Sequence, residues 1–157
     1  MSKPKGFTLV ELLVVIAIIG LLSTLAVVSL GSARSKARDA RRISDIKQIQ
    51  TALELYYADQ GVYPVENPTA ITLGTVAATD ILTNSGFENA NSPTGTAIYM
   101  GQVPGNFPQP PTIEDYEYST DAGGITYTLS FQLEGNVANI KGAPDTVNAT
   151  PSGLRNP

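Results

Sequence analysis

The chain has 157 residues, enough for one modest domain with an N-terminal extension. It contains no cysteine and no histidine, which removes disulfides, thiolate chemistry, imidazole general bases and histidine metal ligands. The formal charge of −4 is unevenly placed: residues 1–59 hold eight of the ten Lys and Arg against five carboxylates, and residues 60–157 hold the other two against nine. A basic front joined to an acidic back suits ordered contacts between copies, or with a surface.

Residues 1–6, Met-Ser-Lys-Pro-Lys-Gly, are short, polar and basic. Residues 7–30 follow as an apolar run whose one charge is Glu11. As a helix these residues extend about 36 Å, enough to cross a hydrocarbon core with some tilt. The uninterrupted stretch Leu12 to Leu22 is also the right length for the apolar part of a secretory signal peptide, with Gly31-Ser32-Ala33 as its cleavage site. Glu11 speaks against that rival. A carboxylate in an apolar helix costs a few kcal/mol at the bilayer centre and usually marks function.

The stretch Lys5 to Leu22, KGFTLVELLVVIAIIGLL, resembles the signature of type IV prepilins and of the pseudopilins of type II secretion. Its carriers here are Gly6, Phe7, Thr8, Leu9 and Glu11. The resemblance covers about the first third of the chain. It implies that a prepilin peptidase cuts between Gly6 and Phe7 and that Phe7 is N-methylated. It also implies a subunit held by one membrane-spanning helix, with its head outside the cytoplasmic membrane, that later joins a helical filament of copies. The implied partners are the peptidase, other copies, an inner-membrane assembly platform and the lipid bilayer. Cleavage would create an ammonium on Phe7, four residues before Glu11. In a stack of helices, Glu11 of one copy can then meet the Phe7 ammonium of the next. In a low-dielectric core each charge offsets desolvation the other could not bear alone. Before assembly Glu11 is either protonated or close to its own terminus, and the sequence leaves both open. Two features depart from expectation. Many members carry a proline well into the apolar helix, and none stands here. The five basic residues between Arg34 and Arg42 outnumber Lys3 and Lys5, so the positive-inside rule alone favours the reverse orientation.

Past residue 32 the pattern becomes amphipathic. Ala37, Ala40, Ile43, Ile46, Ile49, Leu53 and Tyr56 recur at helical steps, with Arg34, Lys36, Arg38, Arg42, Asp45 and Lys47 mostly off that stripe. Gly61 and Pro64 stop the helix. Tyr56 or Tyr57, Gly61, Tyr63 and Pro64 again resemble pseudopilins, and structurally they close the core where helix passes into loop. The basic residues suit anionic headgroups, acidic neighbours or plain solvent.

Residues 65–112 predict some internal order, with a short helix at Ala77–Leu82, a strand at Ala97–Met100 and an extended Phe107–Pro111. Ile125 to Glu134 alternates as a half-buried strand, and Tyr116 and Tyr118 alternate before Thr120–Gly124, so a hairpin is expected. Asn136–Lys141 is a third candidate strand, and the tail after Gly142 reads as mobile. The predicted fold is α+β: a long N-terminal helix whose second half lies on a small antiparallel sheet. The expected segments are a leader at 1–6, a membrane and polymerisation helix at 7–30, an amphipathic helix at 31–62, a variable loop at 63–112, a sheet at 113–142 and a flexible tail at 143–157.

Glu114, Asp115, Glu117 and Asp121 form the one acidic cluster. Asp115, Glu117 and Asp121 offer hard oxygen ligands of the kind calcium takes, and some secretion pseudopilins hold calcium between late strands. Their ligand pattern is not matched here residue by residue, and a solvated loop is the plainer reading. No phosphate-binding loop, nucleic-acid site or catalytic constellation stands out, so no enzyme and no cofactor are expected. Asn148-Ala149-Thr150 matches a glycosylation sequon formally. The leading expectation is a filament subunit. The alternatives are a soluble binding domain released near Ala33, and a singly anchored domain that does not polymerise.

Overall fold

A computed structural model describes residues 6–66, 70–74, 79–105, 114–137, 140 and 146–155. By its internal contacts the chain divides into Met1–Ala37 and Arg38–Pro157. One helix, α1 (Leu9–Gln60), supplies almost all of the first unit and the opening of the second. No proline stands between Pro4 and Pro64, so no carbonyl clash or missing N–H interrupts it. Its end is set locally. Gly61 takes a left-handed φ of 76° and donates its N–H to the Tyr57 carbonyl at 2.8 Å, which closes the last turn.

The second unit adds eight short strands among the described residues: β1 (Ile71–Thr72), β2 (Ile81–Thr83), β3 (Gly86–Glu88), β4 (Ile98–Met100), β5 (Glu117–Thr120), β6 (Tyr127–Gln132), β7 (Thr146–Thr150) and β8 (Gly153–Arg155). They form an antiparallel sheet in the order β1-β5-β6-β7-β8 and a smaller one in the order β3-β2-β4. The α+β architecture expected from the sequence is thus observed. The hairpin β5–β6 pairs Tyr118 with Leu129, and β6–β7 pairs Leu129 with Ala149 and Phe131 with Val147. Tyr127, Leu129 and Phe131 are buried while Thr128 and Ser130 are only half-buried, as the alternation predicts. From α1, Ile46, Ile49, Leu53 and Tyr56 enter the same core.

Aromatic side chains seal the point where α1 gives way to loop. Tyr63 is buried, packs edge-on against Tyr127 at 4.7 Å between ring centres, and donates its hydroxyl to Glu54 at 2.9 Å. Its backbone N–H reaches the Gly124 carbonyl at 2.8 Å. Gly124 is required there twice over: its φ is +64°, and a Cβ would lie 2.8 Å from the Tyr63 oxygen.

Several expectations are corrected. The stretch assigned to a short helix at Ala77–Leu82 includes β2, whose Ile81, Leu82 and Thr83 are all buried and pair with β3 across a two-residue turn. Ala77 and Ala78 lie outside the described residues, as does Phe107–Pro111. Ile125 is not in the strand but at the hairpin tip, 74% exposed, because the six-residue turn extends to Thr126. Within Asn136–Lys141 the described residues show only an isolated bridge between Val137 and Ile140. The tail expected to be mobile instead supplies β7 and β8, with Val147 and Ala149 fully buried. Alternation over five residues is a weak signal, and their burial depends on pairing with β6, across the intervening residues 133–145.

The largest surprise lies in the helical stripe. Ala37 and Ala40 are exposed, while Asp39, Arg42 and Asp45 are buried. Asp39 and Arg42 form an ion pair at 2.7 Å, and Arg42 also donates to Glu134 at 2.9 Å. Arg38 grips the same carboxylate with two donors, at 2.6 and 2.5 Å. The Asp39 carboxylate further accepts the backbone N–H groups of Glu134 and Gly135 at 2.9 and 3.0 Å. Two cations and two anions therefore fasten the end of β6 to α1. The Arg38 hydrogen bonds, followed by those from Arg42, hold the Glu134 carboxyl down at about 2. Burial instead pushes Asp45 up from its ordinary value, against the opposing pull of Arg41 and a hydrogen bond from Tyr116.

Candidate processing and assembly segment

Gly6, Phe7 and Thr8 precede the first helical residue and are exposed. The helix starts at Leu9 because Thr8 caps it. The Thr8 hydroxyl oxygen accepts the Glu11 N–H at 3.2 Å, and the Glu11 carboxylate accepts the Thr8 N–H at 2.8 Å and the Thr8 hydroxyl at 2.7 Å. This is a reciprocal capping box, which satisfies donors that a helix start leaves unpaired. Its signal in the sequence is Thr-x-x-Glu before an apolar run, Thr8 to Glu11. The isolated chain thus gives Glu11 two donors of its own.

From Phe7 to Leu30 the large apolar side chains are exposed, Phe7 by 76%, Leu9 by 79% and Val28 by 76%. α1 is long and apolar enough, by length and composition, to cross a membrane. Two of the hydroxyls within the apolar run are also compatible with lipid. Ser23 donates to the Ile19 carbonyl at 2.7 Å and Thr24 to the Leu21 carbonyl at 2.8 Å, so neither is left without a partner. A Cβ placed on Gly6 or Gly20 would meet nothing within 4 Å. Packing among the described residues therefore does not explain glycine at position 6.

Residues 1–27 match the family described as the prokaryotic N-terminal methylation motif. The chain carries a prepilin-type N-terminus. The motif spans Gly6–Phe7, the capping box and most of the exposed apolar run. The chain is also homologous to the type II secretion system core protein G of Escherichia coli K12, 43% identical over 66 residues, which are 42% of this chain and 46% of that protein. The corresponding Vibrio cholerae protein is 39% identical over 64 residues, 41% of this chain and 44% of its own length. The fimbrial protein EcpC of Eikenella corrodens is 40% identical over 74 residues, 46% of this chain and 47% of its own. The chain thus spans slightly less than half the length of these relatives. No solved structure matches it.

The remaining sequence candidates are not brought together. Glu114, Asp115 and Glu117 line a small cleft of about 110 Å³ with Gln132. Asp121 lies beyond the far end of β5, roughly 13 Å along the strand from Glu117. Its carboxylate accepts the backbone N–H groups of Ile125 and Thr126, each at 2.8 Å, and of Gly123 at 3.3 Å. Those bonds, from Thr126 first, lower its pKa. Among the described residues no three acidic side chains converge as a metal site requires. Asn148 lies on β7 between β6 and β8 and accepts a hydrogen bond from Ser130 at 3.1 Å, a poor place for a glycan.

Proposed function

We propose that the chain is a structural subunit of a type IV pilus-like filament, with the pseudopilus of type II secretion as its nearest functional type. The single observation that carries this reading is the layout of the first turns. An exposed Gly6–Phe7 bond stands two residues before a capped, wholly exposed apolar helix, with Glu11 at its third position. A prepilin peptidase would cut before Phe7 and methylate the new amine. A small residue at Gly6 serves that enzyme, since no packing among the described residues asks for it. The subunit would then rest in the cytoplasmic membrane through α1, with its β-rich unit outside, until an inner-membrane platform adds it to a stack of copies.

In the stack the Phe7 ammonium of one copy pairs with Glu11 of the next. Glu11 Oε2 is engaged by Thr8, while Oε1 remains able to accept. The pair sets register between helices whose apolar contacts alone permit sliding. The reading is structural, not catalytic, as the names of the relatives suggest. The fimbrial relative favours a second version, a surface fibre, on the same machinery.

Mass spectrometry of the mature N-terminus tests the proposal. N-methyl-Phe7 is expected, and a start near Arg34 overturns it. Glu11→Ala separates a filament subunit from a merely anchored domain: filaments or secretion should be lost, and intact assembly would remove the role given to Glu11.

A further inference from the structure

The five basic residues that follow the apolar run are not equivalent. Arg38 and Arg42 are committed to Glu134 and Asp39. Arg34 and Lys36 are exposed, and among the described residues neither makes an ion pair. Nor does any carboxylate stand between Glu11 and Asp39 to oppose them.

Their axial position is informative. Leu30 is the last large apolar residue of the exposed run. Arg34 lies about 6 Å and Lys36 about 9 Å further along the helix. If Phe7 marks one edge of a hydrocarbon layer about 30 Å thick, an upright helix leaves that layer near Val27 and a tilted one near Leu30. Long basic side chains there lie at headgroup depth, with stems able to run back along the apolar surface. The intervening Gly31, Ser32 and Ala33 are too small to screen them.

Their angular position separates two partners. Residues two apart on a helix point about 200° away from each other. Arg34 and Lys36 thus leave α1 on opposite sides. A protein partner docks on one side and engages a stripe, whereas a layer of headgroups surrounds the helix.

We propose that Arg34 and Lys36 form a two-sided collar that binds the phosphate groups of anionic phospholipid and sets the depth of the helix before assembly. This rests on the membrane reading above. The collar also survives cleavage after Gly6, which removes Lys3 and Lys5 and leaves Arg34 and Lys36 as the basic side chains nearest the membrane-spanning run.

The test uses the full chain reconstituted into phosphatidylcholine bilayers containing phosphatidylglycerol, at a low ratio of protein to lipid. Electron spin resonance of spin-labelled phosphatidylglycerol and phosphatidylcholine reports which lipid the helix immobilises. The wild type should select phosphatidylglycerol, and Arg34→Gln and Lys36→Gln should each reduce that selectivity about fivefold, corresponding to the attraction of one basic residue to an anionic surface. Arg38→Gln should leave it unchanged. An inserted wild type with no selectivity overturns the collar, as does an Arg38→Gln loss equal to that of Arg34→Gln. Loss of selectivity as protein is added, with cross-links from Lys36 to a neighbouring chain, would assign these residues to a second copy instead. Failure of the chain to insert at all overturns the membrane reading itself.

Discussion

Asp39 and Arg42, one helical turn apart on α1, are both almost fully buried and meet at 2.7 Å. A buried pair is weak support in itself, because desolvation consumes much of its attraction, but stranding one member is severe. Asp39→Ala leaves Arg42 with reduced compensation and also removes the acceptor for two backbone N–H groups at residues 134 and 135. Arg42→Ala strands Asp39. Each should cost about 3–5 kcal/mol, read as a lowered denaturant midpoint of the full chain in detergent. Lys47→Ala, on the exposed side, should stay within about 0.5 kcal/mol. Equal midpoints for all three variants would remove the role assigned to this cluster.

Glu134 predicts the acid limb of stability. Its carboxyl sits near 2 in the fold against an ordinary 4.5. A lowered carboxylate contributes stability that is complete above the unfolded value and is lost as pH falls through the folded one. Stability should therefore decline between about pH 4.5 and pH 2. Glu134→Gln should be less stable at neutral pH and show a shallower decline across that window. An unchanged slope would mean that other carboxylates carry the acid transition.

Thr8→Ala removes both halves of the capping box at once. The first turn of α1 should fray by about 1 kcal/mol, with Thr8→Ser retaining most of the cap. Amide hydrogen exchange at Val10, Glu11 and Leu12 in micelles measures it. Protection that is unaffected by Thr8→Ala would show that the surrounding apolar phase alone fixes the start.

Asp121 decides between a metal ligand and a turn brace. Because its oxygens accept backbone N–H groups at residues 123, 125 and 126, Asp121→Ala should loosen the β5–β6 hairpin, read as faster amide exchange at those three residues. Calcium or a chelator should leave the wild-type melting temperature unchanged. A rise in that temperature with calcium would restore the metal reading of Asp115, Glu117 and Asp121.

Leu53 and Leu129 test the shared core from opposite sides. Both are fully buried, one on α1 and one on β6. Leu53→Ala and Leu129→Ala should each cost about 2–5 kcal/mol in the same unfolding transition. Leu25→Ala, exposed on the apolar run, should not move that transition.

By itself the sequence determined whatever depends on near neighbours. Gly6, Phe7 and Glu11 are adjacent enough for spacing to reveal them, and the apolar run announces itself by length. The end of α1 is written in Gly61 and Pro64. The hairpin of β5 and β6 is written in alternation about a short turn, since each strand's partner is only a few residues away. The tertiary structure decided what depends on distant partners. The register of Asp39 and Arg42 toward the core makes sense only with Glu134, more than ninety residues on, at the end of β6. Charged residues at core positions read as surface until the opposite charge that neutralises them is in place. The same holds for β7, whose weak alternation became buried structure only through pairing with β6. Of the basic residues after the membrane-length run, composition counted five alike. Only folding divided them: Arg38 and Arg42 hold the β-rich unit together, Arg41 stands beside Asp45, and Arg34 and Lys36 make no ion pair among the described residues.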